Sequence, residues 1–167
     1  YMLPSPATLE AGALLNARFG AMRWQIATTA TDANRFAIRV ARAVTGRPKI
    51  LVFNGCYHGT VDDVMVELAG GQTCNRQGLL GQVADLTLGA VCVEFNDLAA
   101  VKAALAKGDV AAVLTEPVMT NSCMVLPDAG FHDGLRLLSR RYGALLIIDE
   151  THTICAGPGG CTREWDL

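Results

Sequence analysis

Four short apolar runs, at 50–53, 90–93, 110–114 and 144–148, alternate along this chain with stretches of helical periodicity. None of the four shows the strict apolar–polar alternation of a half-exposed strand. Each therefore predicts a strand buried on both faces, the pattern of parallel sheets. The intervening stretches supply the cover. Residues 29–45 place Ala33, Phe36, Ala37, Val40, Ala41 and Val44 on one stripe, the face that such a helix turns to a core, and Arg35, Arg39 and Arg42 on the other side. Thr29 and Asp32 have capping-box spacing, and Gly46-Arg47-Pro48 supplies a stop. Helices are also predicted over residues 7–19, around Leu98, Val101, Ala104 and Leu105, and from Phe131 to Tyr142, where Gly143 ends the last. Residues 22–27 read as a short strand, and 68–89, rich in Gly, Gln and Thr, as an irregular excursion. Strands alternating with helices predict an α/β fold in three layers: a mostly parallel sheet with helices on both faces. With no repeat and no linker, residues 1–167 read as one domain.

Composition narrows the function. Hydrophobic residues make up 51% and charged residues 18%, which suits a packed globule rather than a disordered chain. No apolar run approaches the roughly 18–20 residues of a membrane helix. The opening Tyr1-Met2-Leu3-Pro4 has no basic-then-apolar leader pattern. With a net charge of −2 and no basic stripe beyond single helix faces, nucleic acid is not the expected partner. None of the six cysteines forms a C-x-x-C pair, so zinc is not expected and a reduced, cytoplasmic setting fits; Cys92 reads as a core residue.

Parallel sheets bind ligands at the carboxyl ends of their strands. Tyr57-His58, Glu116 and Asp149-Glu150 all follow strands there, and Thr28-Thr29-Ala30-Thr31 opens a helix. A helix start offers free N–H groups and a partial positive charge, a cradle for phosphate. The competing reading is that Thr29 or Thr31 simply caps the helix. Asp149, ending an apolar strand, needs a cationic or donor partner such as a protonated pyridine nitrogen; it can equally cap the next turn. Tyr57 can stack on a flat ring or close the core beneath its loop. His58 lacks neighbours at metal-ligand spacing, and no metal site is expected. His132 reads as surface. Asp62, Asp63 and Glu67 read as an acidic helix start or exposed loop, and Gly157-Pro158-Gly159-Gly160 as a plain turn. No G-x-G-x-x-G is present, which weakens a dinucleotide-binding alternative.

Taken together, these motifs resemble the class III (omega-type) aminotransferases, a family that includes the glutamate-semialdehyde aminomutases. The resemblance rests on Thr29-Ala30-Thr31-Asp32-Ala33-Asn34, Tyr57-His58-Gly59, Glu116-Pro117 and the run Leu145-Leu146-Ile147-Ile148-Asp149-Glu150. Their order and spacing match over almost the whole chain. The resemblance implies the large domain of a fold-type-I enzyme with pyridoxal 5′-phosphate as cofactor. Thr29, Ala30 and Thr31 would hold the phosphate. Tyr57, with His58 beside it, would stack on the ring, and Asp149 would pair with its nitrogen. Glu116 would form a polar wall, and Thr151, where the family usually has Val, would pack on the other ring face. Ala30 replaces a usual Gly.

The implied reaction moves an amino group between an amino acid and a 2-oxo acid, in a homodimer; an aminomutase is the alternative. Residues 23–28, Asn34-Arg35-Phe36 and Thr151-His152-Thr153 resemble enzymes acting on β-amino acids. The family also needs a lysine bonded to the cofactor, beyond the region matching Glu164–Leu167. Lys49 precedes its strand, and Lys102 and Lys107 read as surface. The expectation is a partial large domain that does not catalyse by itself, without the family's N-terminal segment and small C-terminal domain.

Overall fold

The computed structural model describes residues 5–20 and 22–167; the leader reading of Tyr1-Met2-Leu3-Pro4 lies outside them. Four parallel strands form the main sheet in the order β4-β1-β5-β6: β1 (Lys49–Phe53), β4 (Ala90–Val93), β5 (Val110–Thr115) and β6 (Leu145–Ile148). The register pairs Ile50 with Ala90 and Val113 with Leu146. All six residues of β5 are buried, which requires cover on both faces. The cover comes from α2 (Ala30–Thr45), which packs on β5, and from α3 (Leu98–Leu105) and α4 (Phe131–Tyr142), which pack on each other and on the sheet. The α/β, three-layer expectation matches this architecture. Among these four strands β6 departs furthest from full burial. Leu145 is exposed and the other three residues are half-buried, because β6 pairs with β5 alone among the described residues.

Local chemistry explains the boundaries. Thr29 caps α2 by accepting the Asp32 N–H, and Gly46 ends it in the left-handed region. A backbone carbonyl cluster at the other end is held by Arg47, whose guanidinium donates to the carbonyls of Val110, Tyr142 and Gly143. Phe53, Phe95 and Phe131 pack edge-on beneath the start of α4. His132 joins them half-buried, with Nε2 on the Pro117 carbonyl, and is not the surface residue expected.

Three other expectations fail for identifiable reasons. The buried face of α2 is Asn34, Ile38 and Ala41, while Phe36, Val40 and Val44 of the predicted stripe are exposed. Polar side chains turn the helix this way. Asn34 reaches into the structure, and Arg42 donates to the carbonyls of Pro48 and Gly89 and pairs with Asp63. Residues 22–27 form no strand; the Met22 backbone N–H and the Trp24 indole N–H both bind Asn16 on α1 (Pro6–Phe19) instead. The stretch 68–89 is not wholly irregular. It contributes to a hairpin of β2 (Val66–Ala69) and β3 (Gln72–Asn75), turned by Gly70 and Gly71, both at positive φ. A two-residue Gly-Gly loop suits the primed turns that match strand twist. Finally α5 (Gly160–Glu164) follows the predicted turn at 157–160, its first N–H groups taken by the Glu150 carboxylate.

The orientation of α2 has a direct test. Ile38→Ala should lower unfolding stability by about 2–5 kcal/mol through a buried cavity, whereas Val40→Ala should stay within about 0.5 kcal/mol. Urea unfolding of both variants measures the difference, and equal losses would contradict the observed burial.

Candidate active site

Asp149, just past β6, organises the carboxyl edge of the sheet. It is nearly buried, and both its oxygens are engaged. Oδ2 accepts from Asn34 Nδ2 at 2.9 Å and lies 2.8 Å from His58 Nδ1. Oδ1 accepts from the Thr151 backbone N–H at 3.0 Å and the Thr151 hydroxyl at 2.6 Å. Asn34 also donates to the His58 carbonyl, which ties α2 to the loop after β1. The capping role of Asp149 and its place at a site therefore coexist.

The His58 ring is fully buried. Burial alone would push its pKa down; the bond to Asp149, with Cys56 alongside, overrides this and raises it to about 9. Burial alone would likewise push Asp149 up, but the bonds from His58, Thr151 and Asn34 hold it well below the usual carboxylate range. The pair is an ion pair within the fold.

One cleft, of about 160 Å³, is lined by Ala30, Thr31, Tyr57, His58, Gly59, Glu116, Asp149, Thr151 and His152. It brings together seven of the eight residues singled out from sequence. Thr29 stands at its rim of the helix as the cap and is not in the lining. Its hydroxyl accepts from the Asp32 N–H and its carbonyl from the Ala33 N–H, so the N–H groups of Ala30 and Thr31 have no partner among the described residues. The Thr31 hydroxyl accepts from the Thr60 N–H. Gly59 closes over this helix start at φ +83°, and a Cβ there would lie 2.9 Å from Thr31 Cα. Tyr57 is 43% exposed and has no hydrogen-bond partner for its hydroxyl among the described residues. Its open face excludes the reading of a Tyr that closes the core.

Glu116 follows β5, buried to 6% exposure. Its Oε2 accepts from the Thr120 N–H at 3.2 Å and hydroxyl at 2.7 Å, while Oε1 has no partner. Thr120 also hydrogen-bonds Nδ1 of His152, which is half-exposed in the cleft. Sequence reading assigned Thr120 no role, offered His152 only as a residue close to the site, and assigned Asn34 no role of its own. Asn34 carried a legible signal, an amide one helical turn after Ala30. Thr120 carried none, because its loop has no periodicity.

The arrangement suits an anionic group at a helix start, a flat ring beside Tyr57 and a cationic or donor atom at Asp149. That combination on a parallel α/β sheet suits a phosphorylated heteroaromatic ligand. The class-III aminotransferase family model matches residues 2–165, and the chain belongs to this pyridoxal-phosphate-dependent family. Curated relatives include the glutamate-1-semialdehyde 2,1-aminomutase of Bordetella avium, 38% identical over 94% of this chain, and that of Chloroflexus aggregans, 39% identical over 82%. The chain spans 38% and 32% of the length of those relatives. A glutamate-1-semialdehyde aminomutase structure from Pseudomonas aeruginosa superposes with TM-score 0.95 at 52% identity, covering all of this chain and 37% of that one. Its K286A form is a complex with PMP. An omega-transaminase from Sphaerobacter thermophilus superposes with TM-score 0.90 at 27% identity, over all of this chain and 40% of its own.

The ion pair sets a pH dependence. A histidine raised to about 9 contributes stability that is complete below roughly pH 6.5 and lost as pH rises through about 9. A depressed carboxylate contributes stability present above roughly pH 4 and lost as pH falls. The pair therefore stabilises most between about pH 4 and 6.5. Urea midpoints should fall from about pH 6 to about pH 9.5, and by distinctly less in Asp149→Asn; an equal fall in both proteins would contradict the pairing.

Proposed function

We propose that these residues form the cofactor-binding part of a pyridoxal-phosphate enzyme that moves amino groups. The observation that carries this reading is the single cleft in which a held-ionised carboxylate, an open tyrosine and an unsatisfied helix start meet. When bound, the cofactor supplies a protonated pyridine ring that draws electrons from a substrate carbon.

The chain's own residues would do the rest. The N–H groups of Ala30 and Thr31 hold the phosphate, with Thr29 fixing the helix start. Gly59 leaves room for that helix start against its loop, and Tyr57 stacks on the ring. Asp149 pairs with the ring nitrogen and keeps it protonated. A carboxylate offers about four acceptor positions, and four donors already occupy Asp149. His58 and Asn34 are buried, and the third donor is backbone. The exposed Thr151 hydroxyl is the one free to rotate away and yield its place. His58 thus acts behind Asp149, with Glu116 in the polar wall.

Lys49 pairs with Asp109 at 2.8 Å, Lys102 and Lys107 are exposed, and none lines the cleft. The reading has these residues hold the cofactor without a covalent bond, so that catalysis needs a lysine from outside them. The whole protein is read as an aminotransferase acting on an amino acid and a 2-oxo acid, as a cytoplasmic homodimer. The exposed apolar residues Phe36, Val40 and Val44 on α2 suit a face covered in that assembly. An aminomutase is the second reading, favoured by the higher identity to aminomutases than to the omega-transaminase. A β-amino acid substrate has support in the 28% identity to a β-phenylalanine aminotransferase from Variovorax paradoxus, at TM-score 0.76 over 93% of this chain.

Pyridoxal 5′-phosphate should bind saturably and be competed by inorganic phosphate, with no borohydride-fixed lysine adduct in the cleft. Saturable NAD or ATP binding that it does not displace would overturn the reading. Asp149→Ala should weaken binding at least tenfold by titration, and Thr151→Val should tighten it roughly fivefold by freeing an acceptor position. An aminomutase parent would turn over its substrate without a separate 2-oxo acid; an aminotransferase parent would require one.

A further inference from the structure

His152 is an exposed cleft residue whose ring nitrogen roles follow from its neighbours. Its Nδ1 hydrogen-bonds the Thr120 hydroxyl, and that hydroxyl lies 2.7 Å from Glu116 Oε2. Glu116 also draws the Thr120 N–H onto the same oxygen, which fixes the threonine between the two side chains. A carboxylate only accepts hydrogen bonds, and a hydroxyl has a single proton to give. The Thr120 proton therefore goes to Glu116. Its oxygen can then only accept from His152, so Nδ1 carries the imidazole proton. In the neutral ring this leaves Nε2 with a bare lone pair. Nε2 has no partner among the described residues, and the ring is 55% exposed within the cleft lining.

We infer that Glu116, acting through Thr120, fixes His152 as the Nδ1–H tautomer, and that His152 Nε2 is a hydrogen-bond acceptor in the cleft, selecting ligands with a hydroxyl or ammonium donor. Glu116 and Thr120 are positioning residues, and His152 is the contact. A His152 reversed in tautomer would present an N–H and favour an acceptor on the ligand, so the relay decides the sign of recognition. The identity of the ligand rests on the pyridoxal-phosphate reading; the tautomer does not.

Nitrogen-15 NMR of the histidine-labelled chain separates these points, with the His152 signals assigned by their loss in His152→Phe. The expected result at a pH where the ring is neutral is a protonated Nδ1 and an unprotonated Nε2. Thr120→Val should move the proton toward Nε2, and Thr120→Ser should restore the original pattern. A protonated Nε2 in the unaltered chain, or identical spectra in the Val and Ser variants, would overturn the relay. The unaltered chain decides this even if the Val variant does not fold. Adding pyridoxal 5′-phosphate should then shift the Nε2 resonance, and His152→Phe should bind it roughly 5- to 10-fold more weakly. Saturable binding that leaves Nε2 unmoved would remove His152 as the contact while sparing the functional reading. Failure to bind would remove that reading and the ligand assignment with it, leaving the tautomer result standing.

Discussion

A carboxylate taken out of water must find its compensation within the fold, and Asp149 finds it in three places at once. His58 comes from the loop after β1, Asn34 from the second turn of α2, and Thr151 from the turn after β6. Asn34 and Asp149 lie 115 residues apart in sequence. The meeting of these groups ties three segments together at the carboxyl edge of the sheet. It also explains why α2 is rotated so that Asn34 faces inward while an apolar stripe faces out. Breaking one partner would leave a buried charge uncompensated, which is costlier than losing an ordinary surface pair.

The fold was legible to the extent that backbone pattern dictates it. Strands β1, β4 and β5 were visible as unbroken apolar runs, and α4 as a helix ended by Gly143. What escaped was decided by side chains acting at a distance. The rotation of α2 depends on Asn34 meeting Asp149 and on Arg42 meeting Asp63, neither of which periodicity encodes. The β2–β3 hairpin was hidden by composition, although Gly70-Gly71 held its turn signal. Residues 22–27 have the character of a strand, but Asn16 claims the Met22 backbone N–H that a sheet would use, together with the Trp24 indole N–H.

The candidate site divides along the same line. Tyr57, Asp149 and the helix start at Ala30 and Thr31 follow strands or open a helix, positions where a parallel sheet exposes its ligand-binding edge. Sequence reading reached them by that rule and by family likeness together. His152 and Thr120 sit in turns whose course is set only once β5 and β6 lie side by side. No local signal marks them. The division of labour at Asp149 was equally hidden. His58, read next to Tyr57, backs the carboxylate from within the core, and Thr151, read as packing on the ring, also points its hydroxyl at that carboxylate.

The bare α-carbon at Gly59 has a wider meaning for the proposed anion cradle. Because it rests against Thr31, the loop after β1 and the first turn of α2 share one surface with no slack between them. Neither wall can shift without carrying the other. The proposed cradle is thus close-walled where Gly59 meets Thr31, and its spacing there depends on the missing Cβ. Any change in the size of anion accepted would have to arise from remodelling both segments together, so single replacements along this rim would more readily abolish binding than retune it.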